Sequence, residues 1–105
     1  MSTGYILTAA AEADVRSIIL YTRKQWGDAQ VRAYMAKLEA GITRLAAGQG
    51  SFRDMSEIHP GLRMSRCEHH FAFCLSREDE PALIVAILHE RMDLIQRLGD
   101  RLDQA

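Results

Sequence analysis

Hydrophobic positions change their rhythm near the middle of the chain, from a helical period to a strand period. Tyr5-Ile6-Leu7 is a short apolar run that predicts a first strand. Thr8 follows as a helix cap, with Glu12 and Asp14 in the first turns, where the helix dipole favours acidic groups. Val15, Ile18, Ile19, Thr22 and Trp26 then fall on one face of a helix that Gly27 ends. Asp28 is the expected cap of a second helix, whose stripe is Val31, Tyr34 or Met35, Leu38, Ile42 and Leu45. So short a link makes the two helices an antiparallel hairpin. Residues 48–56 form a polar loop.

Beyond that loop the pattern alternates. Pro60-Gly61 signals a turn, and Leu62 to Cys67 predicts a strand. Glu68-His69-His70 is the expected hairpin turn. Phe71, Phe73 and Leu75 alternate with Ala72 and Cys74, the signature of a half-buried strand. Glu78-Asp79-Glu80-Pro81 is a charged turn. Ile84-Val85-Ala86-Ile87-Leu88 is too short for a core helix and fits a strand buried on both faces. It stops at His89-Glu90-Arg91-Met92-Asp93, which places charged groups where the chain leaves the sheet. Met92 to Leu102 predicts a final helix with Leu94, Ile95, Leu98 and Leu102 on one face, weakened by Gly99. The predicted order is β-α-α-β-β-β-α. This is an α+β domain with an N-terminal strand, a helical hairpin packed on one face of a mainly antiparallel sheet, and a short C-terminal helix.

A chain of 105 residues fits one domain spanning residues 1–105. No stretch approaches the roughly 20 apolar residues of a membrane span. The polar start Met1-Ser2-Thr3-Gly4 lacks the order of a signal peptide, so a cytoplasmic location is expected. Cys67 and Cys74 have no disulfide or metal-ligand spacing and are expected to be buried. Of 13 basic residues only Lys24 and Lys37 are lysine. With a net charge of -1, this argues against broad nucleic-acid binding and for arginines that meet acidic partners or pair internally.

Catalytic motifs are sparse. Neither His69 nor His70 has a second ligand at helical spacing, Gly48-Gln49-Gly50 follows a helix rather than a strand, and no nucleophile elbow occurs. No metal or cofactor is expected. His59, His89, Arg63, Arg66 and Arg91 remain as an acid/base set of the kind that cleaves RNA, with His89 and Arg91 expected beside Arg63 on the neighbouring strand. The structural alternative has His89 capping the sheet while Glu90 and Asp93 pair with arginines. Tyr5, Tyr21, Tyr34 and Trp26 lie in the first strand and helices, leaving no exposed aromatic near His89 to stack a base.

Taken in order, these segments resemble the ParE toxins within the RelE/ParE superfamily of toxin–antitoxin modules. The resemblance rests on Tyr5-Ile6-Leu7-Thr8, Ala10-Ala11-Glu12-Ala13-Asp14, Tyr21-Thr22 and Gln25-Trp26-Gly27. It continues through Pro60-Gly61-Leu62-Arg63, the hairpin around His70, and Ile84 to His89 with Arg91-Met92-Asp93. It implies a toxin that poisons DNA gyrase without catalysis and is neutralised by a cognate antitoxin in a hetero-oligomer. The alternative is a ribosome-dependent mRNA nuclease, whose relatives usually carry a Tyr or His near the C-terminal end; this chain has His89 and Arg91 but no Tyr there. Expected target contacts are Arg63, Arg66, His89, Arg91 and Met92. Expected antitoxin contacts on the helical hairpin are Ile19, Leu20, Val31 and Met35, with core packing as the alternative for Ile19 and Val31. No direct nucleic-acid binding and no membrane contact are expected.

Overall fold

The computed structural model describes residues 4–104. Its elements are β1 (Tyr5–Leu7), α1 (Ala9–Trp26), α2 (Asp28–Ala46), β2 (Arg53–Asp54), β3 (Leu62–Cys67), β4 (His70–Leu75), β5 (Ala82–His89) and α3 (Leu94–Gln104). The α+β expectation holds, with one added strand. The strand order is β1-β5-β4-β3-β2. β1 runs parallel to β5, and every other neighbour is antiparallel.

Local chemistry sets most of these boundaries. The Thr8 hydroxyl accepts the Ala11 amide at 3.1 Å and starts α1. Gly27 ends α1 with φ 87°, a conformation that favours glycine, and its amide donates to the Arg23 carbonyl. The same Gly27 occupies the cap position of α2, so Asp28 lies inside the helix. The Asp28 carboxylate instead pairs with Arg23 at 2.9 Å. The last helix begins at Leu94 because the Asp93 carboxylate accepts the Gln96 amide at 3.3 Å.

Both faces of the sheet are covered. Ile18 of α1 and Leu38, Ile42 and Leu45 of α2 pack with Ala72, Cys74, Ile84 and Ile87. On the opposite face, Leu94, Leu98 and Leu102 of α3 cover Leu62, Phe73, Leu75, Val85 and Leu88. β4 is therefore buried from Ala72 to Leu75 rather than half-buried, since α3 removes its second face from water. Ile95 leaves the expected stripe and is 70% exposed. Cys67 and Cys74 are free and buried as expected, and burial pushes both thiols up.

β5 carries one irregularity in its pairing with β4. Phe73 faces Ala86 and Cys74 faces Ile84, so Val85 is an extra residue in β5. Val85 and Ala86 accordingly pack into the same layer under α3, while Ile84 and Ile87 point under the helical hairpin. The bulge also changes which amides face outward. β1 ends at Leu7, and the Thr8 amide donates the last bond to the Ile84 carbonyl at 3.1 Å. Beyond it the outer edge of β5 meets side chains. The Asp14 carboxylate accepts the Ile87 amide at 2.9 Å, and Arg101 donates to the Val85 carbonyl at 3.3 Å. Asp14 and Arg101 join each other through two bonds of 2.6 and 2.7 Å. One forked pair thus ties α1, β5 and α3.

The turn before β3 rests on Gly61, whose φ is 80° and whose carbonyl accepts the Ser76 amide at 2.8 Å. A methyl group there would lie 2.8 Å from the Ser76 carbonyl oxygen. Gly61→Ala is expected to cost about 2 kcal/mol, from positive φ and backbone crowding together. A thermal melt checks this: the midpoint falls by about 10 °C, and an unchanged midpoint contradicts the strain.

Candidate functional site

An open groove of about 740 Å³ lies between the helical hairpin and the C-terminal end of β5. One wall is α1, contributing Ile18, Tyr21, Thr22 and Trp26. Ile87, His89 and Met92 line it from the end of β5 and the turn that follows, while Tyr34, His69 and His70 close one end. Trp26 is 72% exposed and Tyr21 66%, although the stripe of α1 placed Trp26 on the core face. The indole instead lines the groove.

The polar end of the groove is a connected network. The Tyr34 hydroxyl lies 2.6 Å from Nδ1 of His70 and accepts the His69 amide at 3.2 Å. The phenol has one proton and two acceptors within reach, Nδ1 of His70 at 2.6 Å and the Cys67 carbonyl at 3.5 Å; the shorter contact takes the proton, and burial raises the phenol's pKa and keeps it a donor. Nδ1 of His89 accepts the Arg91 amide at 3.1 Å. An amide can only donate, so the proton of the neutral His89 ring sits on Nε2. The His70 and His89 rings meet edge to face, with centroids 5.2 Å apart. Outside this pair, Glu90 binds His69 at 2.9 Å and Arg66 through a short bond. The His69 and Arg66 contacts hold the Glu90 carboxyl below its usual range, the His69 hydrogen bond being the larger cause.

Burial is the main reason that His70 is pushed down to about 4, with His89 and His69 adding to it. The unfolded chain therefore binds a proton near pH 6.5 that the folded chain refuses until about pH 4. His70 makes stability fall as the pH drops through that window. His70→Gln is expected to flatten the decline in melting temperature between about pH 6.5 and pH 4. An identical slope in the variant would show that His70 does not set the decline; carboxylates such as Glu90 and Asp54, lowered in the fold from 4.5 and 3.8, act only at the acid end of that window and below it.

The expected target contacts fall into separate places. Arg63 is not beside His89: β5 neighbours β4, and Arg63 faces Cys74, at the far end of the hairpin from His70. Its guanidinium donates to the Leu45 carbonyl at 3.4 Å and covers the Phe52 ring, capping the end of α2. Arg66 does reach the strand end, where it binds Glu90 and the Glu68 carbonyl and lies over Phe71. The Arg91 side chain is exposed and has no partner among the described residues. His89 and Met92 line the groove. His59 stands apart in the loop before β3, beside the Pro60 carbonyl.

None of the four expected antitoxin contacts lines the groove. Val31 is buried, Ile19 and Met35 are half-buried, and Leu20 is 63% exposed on α1. The groove instead gathers Tyr21, Trp26, Tyr34, His70 and Asp14. The exposed aromatics Tyr21 and Trp26 were the available sequence signal, but periodicity alone does not distinguish a core stripe from a groove wall. Among the described residues no group of three His, Cys, Asp or Glu side chains is placed to hold a metal ion. No helix among them is long and apolar enough to cross a membrane.

Residues 5–94 match the family model described as the ParE toxin of the type II toxin–antitoxin system parDE. Toxin ParE of Escherichia coli is 72% identical over 100 residues, covering 95% of this chain and 97% of that one. Toxin ParE1 of Mycobacterium tuberculosis is 34% identical, covering 93% of this chain and all of that one. Toxin ParE1 of Caulobacter vibrioides is 28% identical, covering 90% of this chain and 97% of that one.

Proposed function

The chain belongs to the ParE toxin family of type II toxin–antitoxin systems, and on that premise we propose that it arrests growth in the cytoplasm by binding DNA gyrase. The observation that carries this reading is the family membership over nearly the whole chain. Inhibition here is a matter of surface complementarity, with no bond made or broken by the toxin.

A type II toxin has a cognate antitoxin, and the groove suits that partner. Its walls offer two exposed aromatic rings and the apolar side chains of Ile18, Ile87 and Met92, the composition of a seat for an amphipathic segment. The gyrase-facing surface is the adjoining rim at the end of β5, with Arg91 and Arg66 as its cations. His89 and Met92 belong to both, so an antitoxin in the groove covers part of the rim. Neutralisation then follows from overlap.

A supercoiling assay with purified gyrase tests the target. Added toxin is expected to inhibit supercoiling and to leave ribosome-bound mRNA intact. Cleaved mRNA with unaffected supercoiling would place the protein among the nucleases instead. Arg91→Ala is expected to weaken gyrase inhibition roughly tenfold, the effect of one exposed charge at an interface. Its melting temperature should not change, since the guanidinium holds nothing among the described residues. Undiminished toxicity in an induced culture would remove Arg91 from the surface.

A further inference from the structure

The two imidazoles at the polar end of the groove share one unused capacity. Nδ1 of His70 is taken by Tyr34, and Nδ1 of His89 by the Arg91 amide. Each neutral ring therefore carries its proton on Nε2, and neither Nε2–H has a partner among the described residues. Among these residues no buried side-chain nitrogen or oxygen lacks a partner, so the His70 Nε2–H is not sealed in the core. Both rings line the groove.

The acidic groups around this pair are already engaged. Asp14, from α1, is held by Arg101 and the Ile87 amide. Glu90, after β5, is held by Arg66 and His69, and Glu68, in the hairpin turn, lies 3.5 Å from Lys37 of α2. Asp93 caps α3. Arg91 adds an exposed positive charge beside His89. Two donors thus face a space whose nearby carboxylates are committed elsewhere and whose unpaired charge is positive. A partner that covers this end must bring an acceptor, and an anionic one fits best.

Resting on the reading of the groove as the antitoxin seat, we propose that its histidine end is a carboxylate-receiving subsite, in which Nε2–H of His70 and His89 hold an Asp or Glu side chain of the antitoxin while flanking apolar residues pack against Tyr21 and Trp26. The antitoxin segment is accordingly apolar with an acidic residue at one end. The histidines fix its direction along the groove.

The test uses the complete toxin and its full cognate antitoxin, with each Asp and Glu of the antitoxin changed in turn to Asn or Gln. One such change is expected to weaken binding roughly 10- to 100-fold, as hydrogen bonds to charged groups do. The same change should cost less than about twofold against His89→Leu toxin, and His89→Gln, which keeps an N–H donor, should restore part of the loss. A melt of each variant confirms that it folds. If no acidic change couples to His89 while Trp26→Ala still weakens binding, the subsite is overturned and the groove stands. If Trp26→Ala and Tyr21→Ala both leave affinity intact, the groove reading falls and the subsite with it.

Discussion

Asp14→Ala is expected to remove about 3 kcal/mol of stability, lowering the melting temperature by on the order of 15 °C. The carboxylate does three things at once: it holds Arg101 through two bonds, satisfies the Ile87 amide, and ties α1 to β5 and α3. The Asp14 and Arg101 side chains are only 13% and 19% exposed, so water replaces little of what is lost. Removing one partner leaves the other's charge poorly solvated and a strand amide without an acceptor. Against a total of roughly 5–15 kcal/mol for a domain of this kind, that is a large fraction. Asp14→Leu combined with Arg101→Met should recover much of the loss, since apolar packing replaces the pair. The amide of Ile87 would stay unpaired, so recovery is partial. A drop of under about 3 °C in Asp14→Ala would show that the pair contributes no more than a surface contact.

The double variant Tyr21→Ala, Trp26→Ala is expected to lose at least about 100-fold in antitoxin affinity while melting within a few degrees of wild type. Both rings are mostly exposed, so truncating them removes little from the core. At an interface, large rigid aromatics are the side chains that contribute most, about 2 kcal/mol or more each. Titration calorimetry against the antitoxin measures the change. Gyrase inhibition by the free variant should persist, because the rings belong to the α1 wall of the groove and the proposed rim is formed by Arg66, His89, Arg91 and Met92. A variant that binds antitoxin normally would move the seat to another face.

The helices were readable because their signals are local. Thr8, Gly27 and the apolar stripe of α2 each act within a few residues. The buried run of β5 was also legible, as nothing else explains five apolar residues between charged turns. β2 was not, being two residues with no apolar pattern, recruited only because they pair with Arg63 and Met64. The run of β5 already implied a second covered face, but what covers it was not legible, for a related reason. Leu94, Leu98 and Leu102 indicate an amphipathic helix but not which side of the sheet it covers. The candidate site depended on still longer reach. Asp14 finds Arg101 87 residues away, and Tyr34 finds His70 36 residues away. No spacing rule encodes such meetings. His89 and Met92 were placed at and just after the end of β5, where they lie, because strand ends are local features; Arg63 was misplaced beside His89 because strand order is not.

The shortness of β1 has a consequence for the toxin when it is alone. Past Leu7 the outer edge of β5 would be an apolar strand with unpaired backbone groups, open to the same strand of a second molecule. Asp14 and Arg101 occupy that edge with charge. A bare apolar strand edge is a template on which copies of a chain pair and aggregate. The same fork that fastens three elements leaves no free ladder at that point for a second copy to extend.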